Sequence, residues 1–459
     1  MRFRNSLCAG ALAALIASTA HAAGFASAHF GGELGHPTAD NPTALYFNPA
    51  GIAFAEGTRV LVDGVLALRS GSWQHDFGSA TERPDPPGAE GANIGRASFR
   101  NRFGAPMLGV TTRHGRFALG AGFFIPFGGK IAWDENPNFA GNSQFPLAAG
   151  GVQRWHLLEG TVVEAYSTIG IAYRIGPLAL GATANLVRSS VDQTQAKNLV
   201  GTGEPDTTRE GRAVLAVAGW QGSFGLGALV EVVPERFWFG VSYQAQPGLG
   251  EMSLGGTLTT RYDGPETAFR VSFHQAIPDV FRFGLRARPL PTLELRAFGD
   301  ITRWSFFRTQ CISLEDRPCA VDPSGADATD DATTVQNIRR HWRNTWALRG
   351  GASYFAGNHA GQPIEFFLGV GAEKAAPPAA TLDPVFVDAD NLQGALGARV
   401  ALTPRTFLVA SFTQVYYFPR DNTGRSELAR AEAPTRRADG GGRYQLSLGI
   451  LQTSVEFHF

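Results

Sequence analysis

Phe237-Trp238-Phe239-Gly240-Val241-Ser242-Tyr243-Gln244-Ala245-Gln246 decides the class of fold. Its odd positions are all apolar or aromatic and its even positions mostly polar or small, a period of two that belongs to a strand and not a helix. From Asn391 to Val400 the pattern recurs, with Leu392, Gly394, Leu396, Ala398 and Val400 on one face and Asn391, Gln393 and Arg399 on the other. Leu178, Leu180, Ala182, Ala184 and Leu186 alternate in the same way with Gly181, Thr183 and Asn185. Segments of about ten residues are long enough to cross a membrane at a tilt. Strands of a soluble sandwich are nearer five or six residues, roughly half that length.

Outward from these strands, short breakers stand at His114-Gly115-Arg116, Gly176-Pro177, Pro234-Glu235-Arg236, Pro289-Leu290-Pro291, Asn358 to Pro363 and Thr403-Pro404-Arg405. Between them lie longer polar stretches: Gln74 to Arg96, Gly129 to Gly160, Ala196 to Gly211, Cys311 to Arg340, Ala375 to Asp390 and Arg420 to Gly442. Short and long connections alternate, as periplasmic turns and extracellular loops do in a bacterial outer-membrane barrel. The pattern predicts an all-β, transmembrane antiparallel barrel of about fourteen strands, starting near Thr58 and ending at Phe459. At the C-terminus Val455, Phe457 and Phe459 share one face and Glu456 and His458 the other, an aromatic end of the kind read by the outer-membrane assembly machinery. Tyr416, Tyr417 and Phe418 are read as part of an aromatic girdle.

Composition agrees. The 459 residues hold 40 Lys plus Arg against 40 Asp plus Glu, a balance that excludes a nucleic-acid partner, and 56 Gly with 33 Phe favour strands and turns over helices. Arg2 and Arg4, the apolar run Leu7 to Ala17 and Ala20-His21-Ala22 read as a cleaved signal peptide over residues 1–22. Residues 23–57 show no alternation but carry Phe25, Phe30, Leu34, Leu45, Tyr46, Phe47, Ile52 and Phe54, too apolar for a tail, and are expected to fold into the lumen as a hatch or plug. Residues 58–459 form the barrel. In an exported chain, Cys311 and Cys319 are expected to form a loop disulfide.

Catalysis is not expected. G-x-S-x-G, H-E-x-x-H, Walker and G-x-G-x-x-G patterns are absent. His274 falls beside Ser272 on a lumen face, but the sequence places no orienting acid. The acidic residues from Glu315 to Asp331 lack the spacing of a cation loop, so neither a metal site nor a cofactor is expected. Along Leu293 to Arg308 the even face carries Phe298, Trp304 and Phe306 with Arg308 at the end. Rings with a guanidinium on a lumen wall suit an amphipathic ligand, the alternative being an Arg rim with aromatics packed on the hatch.

Three stretches resemble the FadL family of outer-membrane long-chain fatty acid and hydrocarbon transporters. They are Ala23-Gly24-Phe25 with Asn48-Pro49-Ala50-Gly51, Ile277-Pro278-Asp279 with Trp304-Ser305-Phe306-Phe307, and Trp342 through Leu382-Asp383-Pro384. The resemblance implies a hatch carrying Phe25, Asn48, Pro49 and Ala50, capture of a hydrophobic small molecule such as a fatty acid outside the cell, and release through a gap beside a kinked early strand. In the third strand, Gly120 and Gly122 weaken packing and Pro126 cannot donate to the ladder, so pairing is expected to fail there, unless Pro126 merely ends the strand. The expected setting is the bacterial outer membrane, with its lipid, lipopolysaccharide and assembly machinery as partners, and the expected state is a monomer. A general diffusion porin and an adhesin or structural barrel are the rival readings.

Overall fold

The computed structural model describes residues 32–76, 84–198, 205–322, 333–431 and 437–459. The leader over residues 1–22 and Phe25 lie outside the described residues. Nineteen strand segments follow in order: β1 (Thr58–His75), β2 (Gly95–His114), β3 (Phe117–Ala132), β4 (Glu159–Ile175), β5 (Leu178–Asn198), β6 (Glu210–Val233), β7 (Phe237–Gln244), β8 (Met252–Arg261), β9 (Thr267–Gln275) and β10 (Val280–Leu290). The rest are β11 (Leu293–Thr302), β12 (Thr309–Leu314), β13 (Thr334–Arg339), β14 (Thr345–His359), β15 (Gln362–Glu373), β16 (Asn391–Thr403), β17 (Thr406–Tyr417), β18 (Arg420–Asp421) and β19 (Arg443–His458). Four pairs are halves of one crossing each, β7 with β8, β9 with β10, β11 with β12 and β13 with β14, while β18 only extends β17. The segments therefore make fourteen antiparallel crossings, closed where β1 pairs β19 from Arg59↔His458 to Gln74↔Arg443. Closure leaves no open sheet edge for another chain to pair with.

The final residue holds the seam. Thr58 N–H donates to Phe459 O at 3.1 Å, and Phe459 N–H donates back to Thr58 O at 2.8 Å. The turns expected from breakers fall between strands, and they share one end of the barrel with the start of β1 at Thr58 and with Phe459. One outer connection, Tyr262 to Glu266, is too short to stand out in the sequence as a loop.

Alternation sorts the side chains as a membrane wall requires. Phe239, Val241, Leu392 and Leu396 face outward and are exposed, while Trp238, Ser242, Gln244 and Asn391 face inward and are buried. The same rule corrects the girdle: Tyr416 and Phe418 point outward, but Tyr417 between them must point in and is buried.

Four neighbouring crossings are interrupted at one level, over residues 245–251, 276–279, 303–308 and 340–344. Side chains patch the broken ladder. Asp279 accepts from Arg303 Nε at 2.7 Å and from Tyr243 Oη at 2.8 Å, and Asn344 Oδ1 accepts from Ser305 N–H at 2.9 Å. Here Ile277-Pro278-Asp279 and Trp304-Ser305-Phe306-Phe307 come together.

At the outer end, loops fold over the mouth. Arg154, wholly buried, donates to Glu210 at 2.9 Å, Asn93 at 2.9 Å and Thr207 at 3.2 Å, tying three connections together. Arg340 does the same for a fourth through Asp383 at 2.7 Å. Cys311 and Cys319 are joined by a disulfide beneath these loops.

Candidate functional site

The lumen holds residues 32–57. A short helix, Ala44–Phe47, and a 3₁₀ turn, Pro49–Ala53, pack against β2 to β6 with Ala44, Leu45, Ala50 and Ile52 fully buried. Glycines on the inner wall make room for them. A Cβ at Gly120, Gly122 or Gly170 would stand 2.8, 3.1 or 2.7 Å from the Leu45 methyls, so Gly120 and Gly122 seat this side chain. They do not mark a failed ladder: Gly120 pairs with Thr111 and Gly122 with Gly109. That corrects their expected place at a gap.

Asn48, Pro49 and Ala50 sit deeper. Asn48 Nδ2 donates to Pro37 O at 2.7 Å and to Ala228 O of β6 at 3.0 Å, while its Oδ1 accepts from Ala50 N–H at 3.2 Å. Backbone and side-chain atoms of this turn press on Gly181, Gly227 and Gly240, where a Cβ would find no room. Ser242 Oγ donates to Phe47 O at 2.5 Å.

Besides the four interrupted crossings, the wall beside this segment has a seam that loses its ladder part-way, between β2 and β3. β2 and β3 pair only from His114↔Phe117 to Leu108↔Phe123, although β2 continues along β1 to Gly95 and β3 along β4 to Ala132. The β3–β4 register slips between Phe124 and Phe127, around Ile125 and Pro126. Further out the seam is bridged again, by Asn101 to Ala132 at 3.2 Å and by Asp134 N–H to Ser98 O at 2.8 Å. Pro126 therefore lies at the bulge, and Phe103 to Met107 face Phe124 to Ile131 across a stretch with no paired backbone.

Two cavities meet the same stretch of β3. The inner one, about 840 Å³, lies between the luminal segment and the wall, with Tyr46, Phe47, Phe127, Phe298 and Trp304 as its apolar lining. The outer one, about 530 Å³, is lined by Gly129, Lys130, Ile131, Arg69 and the loop tip Val385 to Val387. Trp304, Trp342 and Phe386 stand between them, with ring centroids 4.8 Å apart for the first two and 5.6 Å for the last two.

Phe298 and Trp304 line the inner cavity as alternation requires, but Phe306 and Arg308 do not. The strand stops at Thr302 and a 3₁₀ turn, Trp304–Phe306, resets the phase, so Phe306 and Arg308 are exposed and Phe307 is fully buried instead. Cationic groups at the cavity come from residues the sequence did not single out. Arg349 is held by Asp300 at 2.8 Å and faces Glu373 at 3.5 Å. Arg282 lies 4.2 Å above the Tyr46 ring and donates to Tyr46 O at 3.3 Å, with no ion pair among the described residues.

His274 does have an acid: Glu251 lies 3.4 Å from its Nδ1, and Ser313 Oγ lies 3.1 Å from its Nε2. The hydroxyl, however, donates to Arg317 O at 2.5 Å and Ser313 is wholly buried, so it gives no proton to the imidazole and no substrate reaches it. The trio secures the disulfide loop. In the outer cap, burial holds the His156 imidazole down to about 4 and pushes the Asp388 carboxyl up to about 6.

A closed fourteen-stranded barrel with an apolar outer belt, a segment folded in its lumen and an aromatic inner cavity defines an outer-membrane transport barrel. The chain belongs to the outer membrane protein transport protein family (OMPP1/FadL/TodX), whose model matches residues 7–362. No curated protein matches the chain by sequence. Among solved structures it is similar to a Pseudomonas aeruginosa FadL homologue, at 19% identity over 96% of this chain and 99% of that one with TM-score 0.72. It is also similar to the Ralstonia pickettii toluene transporter TbuX, at 15% identity over 91% and 94% with TM-score 0.60. The P. putida toluene transporter TodX matches at 13% identity over the same shares, with TM-score 0.60. These likenesses establish the fold. The family is one of outer-membrane transport channels for hydrophobic compounds.

Proposed function

We propose that this barrel takes up a fatty acid-like amphiphile passively, with residues 32–57 acting as its hatch, and releases it sideways between β2 and β3. The observation that carries the reading is the run Phe127 to Ile131: it borders both cavities and has lost its β2 partner. A ligand entering under the outer loops would slide past Phe386 and Trp304 and reach a wall opening without crossing a paired ladder. Diffusion down a gradient suffices, and neither catalysis nor a cofactor is part of the reading.

Arg282 supports a carboxylate on the cargo. It lines the aromatic cavity without a salt bridge among the described residues, although Asp300 stands opposite it on β11, so the tail would rest on Phe127, Phe298 and Trp304 while the head, competing with Asp300, meets the guanidinium. Neutral aromatic hydrocarbons are the second reading, favoured by the ring-rich lining. Uptake of radiolabelled oleate and of toluene by cells carrying Arg282→Met separates the two. Losing a charge-assisted hydrogen bond of about 1.5–3 kcal/mol should lower oleate uptake about tenfold or more and spare toluene. Unchanged oleate uptake would refute the carboxylate reading.

A further inference from the structure

On the periplasmic side of the luminal segment lies a third cavity of about 950 Å³, with no counterpart in the transport path above. Arg59, Arg286, Arg288, Arg296 and Arg399 reach it from four different strand segments, Arg286 and Arg288 both from β10. Four carboxylates, Asp40, Glu294, Glu365 and Glu456, reach it too. Glu294 takes Arg288 at 2.7 Å and Arg296 at 3.4 Å, and Glu456 takes Arg399 at 3.1 Å. Glu365 accepts from Ser353 Oγ at 2.6 Å and stands 3.8 Å from Arg296.

Guanidinium groups are left over. Arg59 and Arg286 share only Asp40, at 3.8 and 3.9 Å, beyond hydrogen-bond reach. The Arg296 side chain is 1% exposed and the Glu33 carboxylate faces it from the luminal segment, yet among the described residues its Nε and Nη2 have no hydrogen-bond partner, nor do Nε of Arg59 and Arg286. Buried N–H groups without acceptors are costly, and a guanidinium offers them in the fork that fits an oxyanion. The guanidinium carbons of Arg286 and Arg399 lie over Trp238 and Phe407, 4.2 and 3.8 Å from the ring centroids, which anchors both side chains.

We propose that this vestibule is an oxyanion site, open to the periplasm, in which a phosphate or carboxylate group accepts from Arg296, Arg286 and Arg59. Asp40 of the luminal segment is the group it competes with. An occupant draws Arg59 and Arg286 from Asp40, so occupancy and the seating of residues 32–57 are coupled.

The site is tested by binding, independently of transport. Purified full-length protein in neutral detergent is titrated calorimetrically with inorganic phosphate and, separately, with octanoate below its micelle concentration. Arg296→Met should weaken binding at least tenfold, and Asp40→Asn, which removes the competing charge, should tighten it several-fold. Phosphate binding with both shifts identifies a free periplasmic anion. Octanoate binding alone with both shifts identifies the carboxylate of a cargo. If Arg296→Met does not assemble, as read by heat-modifiable gel migration, the direction of the Asp40→Asn shift decides. No saturable binding of either anion, or binding that the assembled variants leave unchanged, overturns the proposal.

Discussion

At the scale of single residues, the lumen is built from contacts that only the fold brings together. Asn48 bonds two carbonyls and one N–H at once, and truncation removes its Nδ2 as a donor to Pro37 O and Ala228 O. Asn48→Ala should cost about 1–3 kcal/mol, spent on unseating the luminal segment and not the barrel. Planar-bilayer recording should then show larger and longer-lived currents than wild type, with normal assembly. Two buried groups of the outer cap titrate in opposite senses. His156, held down to about 4, binds fewer protons folded than unfolded, so its contribution is present above about 6.5 and is lost as pH falls towards 4. Asp388, raised to about 6, binds more protons folded, so its contribution is present below about 3.9 and is lost as pH rises through 6. Each is on the order of 3 kcal/mol and the two nearly cancel. Relative to wild type, Asp388→Asn should leave a cap that loosens to protease between pH 6.5 and 4, and His156→Asn one that tightens. Parallel profiles for all three proteins would contradict this assignment.

At the scale of elements, alternation was readable wherever a strand runs unbroken. It misplaced Phe306 and Arg308 because no glycine or proline announces the stop after Thr302. The interruption is held by Asp279 and Asn344, partners that are distant in sequence. Gly120 and Gly122 misled for a related reason: a glycine in a strand reads as weakness, and only the Leu45 methyls opposite show it to be a seat. Pro126 was legible because its missing N–H acts locally, whatever packs on it. The disulfide was legible from compartment and parity alone. Closing a loop of eight residues, it should contribute about 2.5 kcal/mol on a chain-entropy basis. Cys311→Ser with Cys319→Ser should leave the barrel assembled but speed trypsin cleavage in the outer connection after β12, and an unchanged cleavage rate would show that His274 and Ser313 hold the loop unaided.

At the scale of the whole molecule, a signal-like leader, strand period, loop asymmetry and the aromatic C-terminus each pointed to one architecture, and the closed barrel follows from their agreement. The charge chemistry was not legible. Arg282 and the arginines of the periplasmic vestibule stand on inward faces whose neighbours are set by barrel closure and by the luminal segment, which no local pattern encodes. The claim that joins the parts is lateral release beside β3. Photocrosslinking in outer-membrane vesicles, using a fatty acid with a diazirine along its tail and peptide mapping of the adducts, tests it most directly. Adducts should concentrate on Phe127 to Ile131 and, across the seam, on Phe103 to Met107. Adducts confined to the periplasmic end, on Ala39 to Asn41 and Arg59 with none on β3, would show that cargo passes straight through and would contradict it.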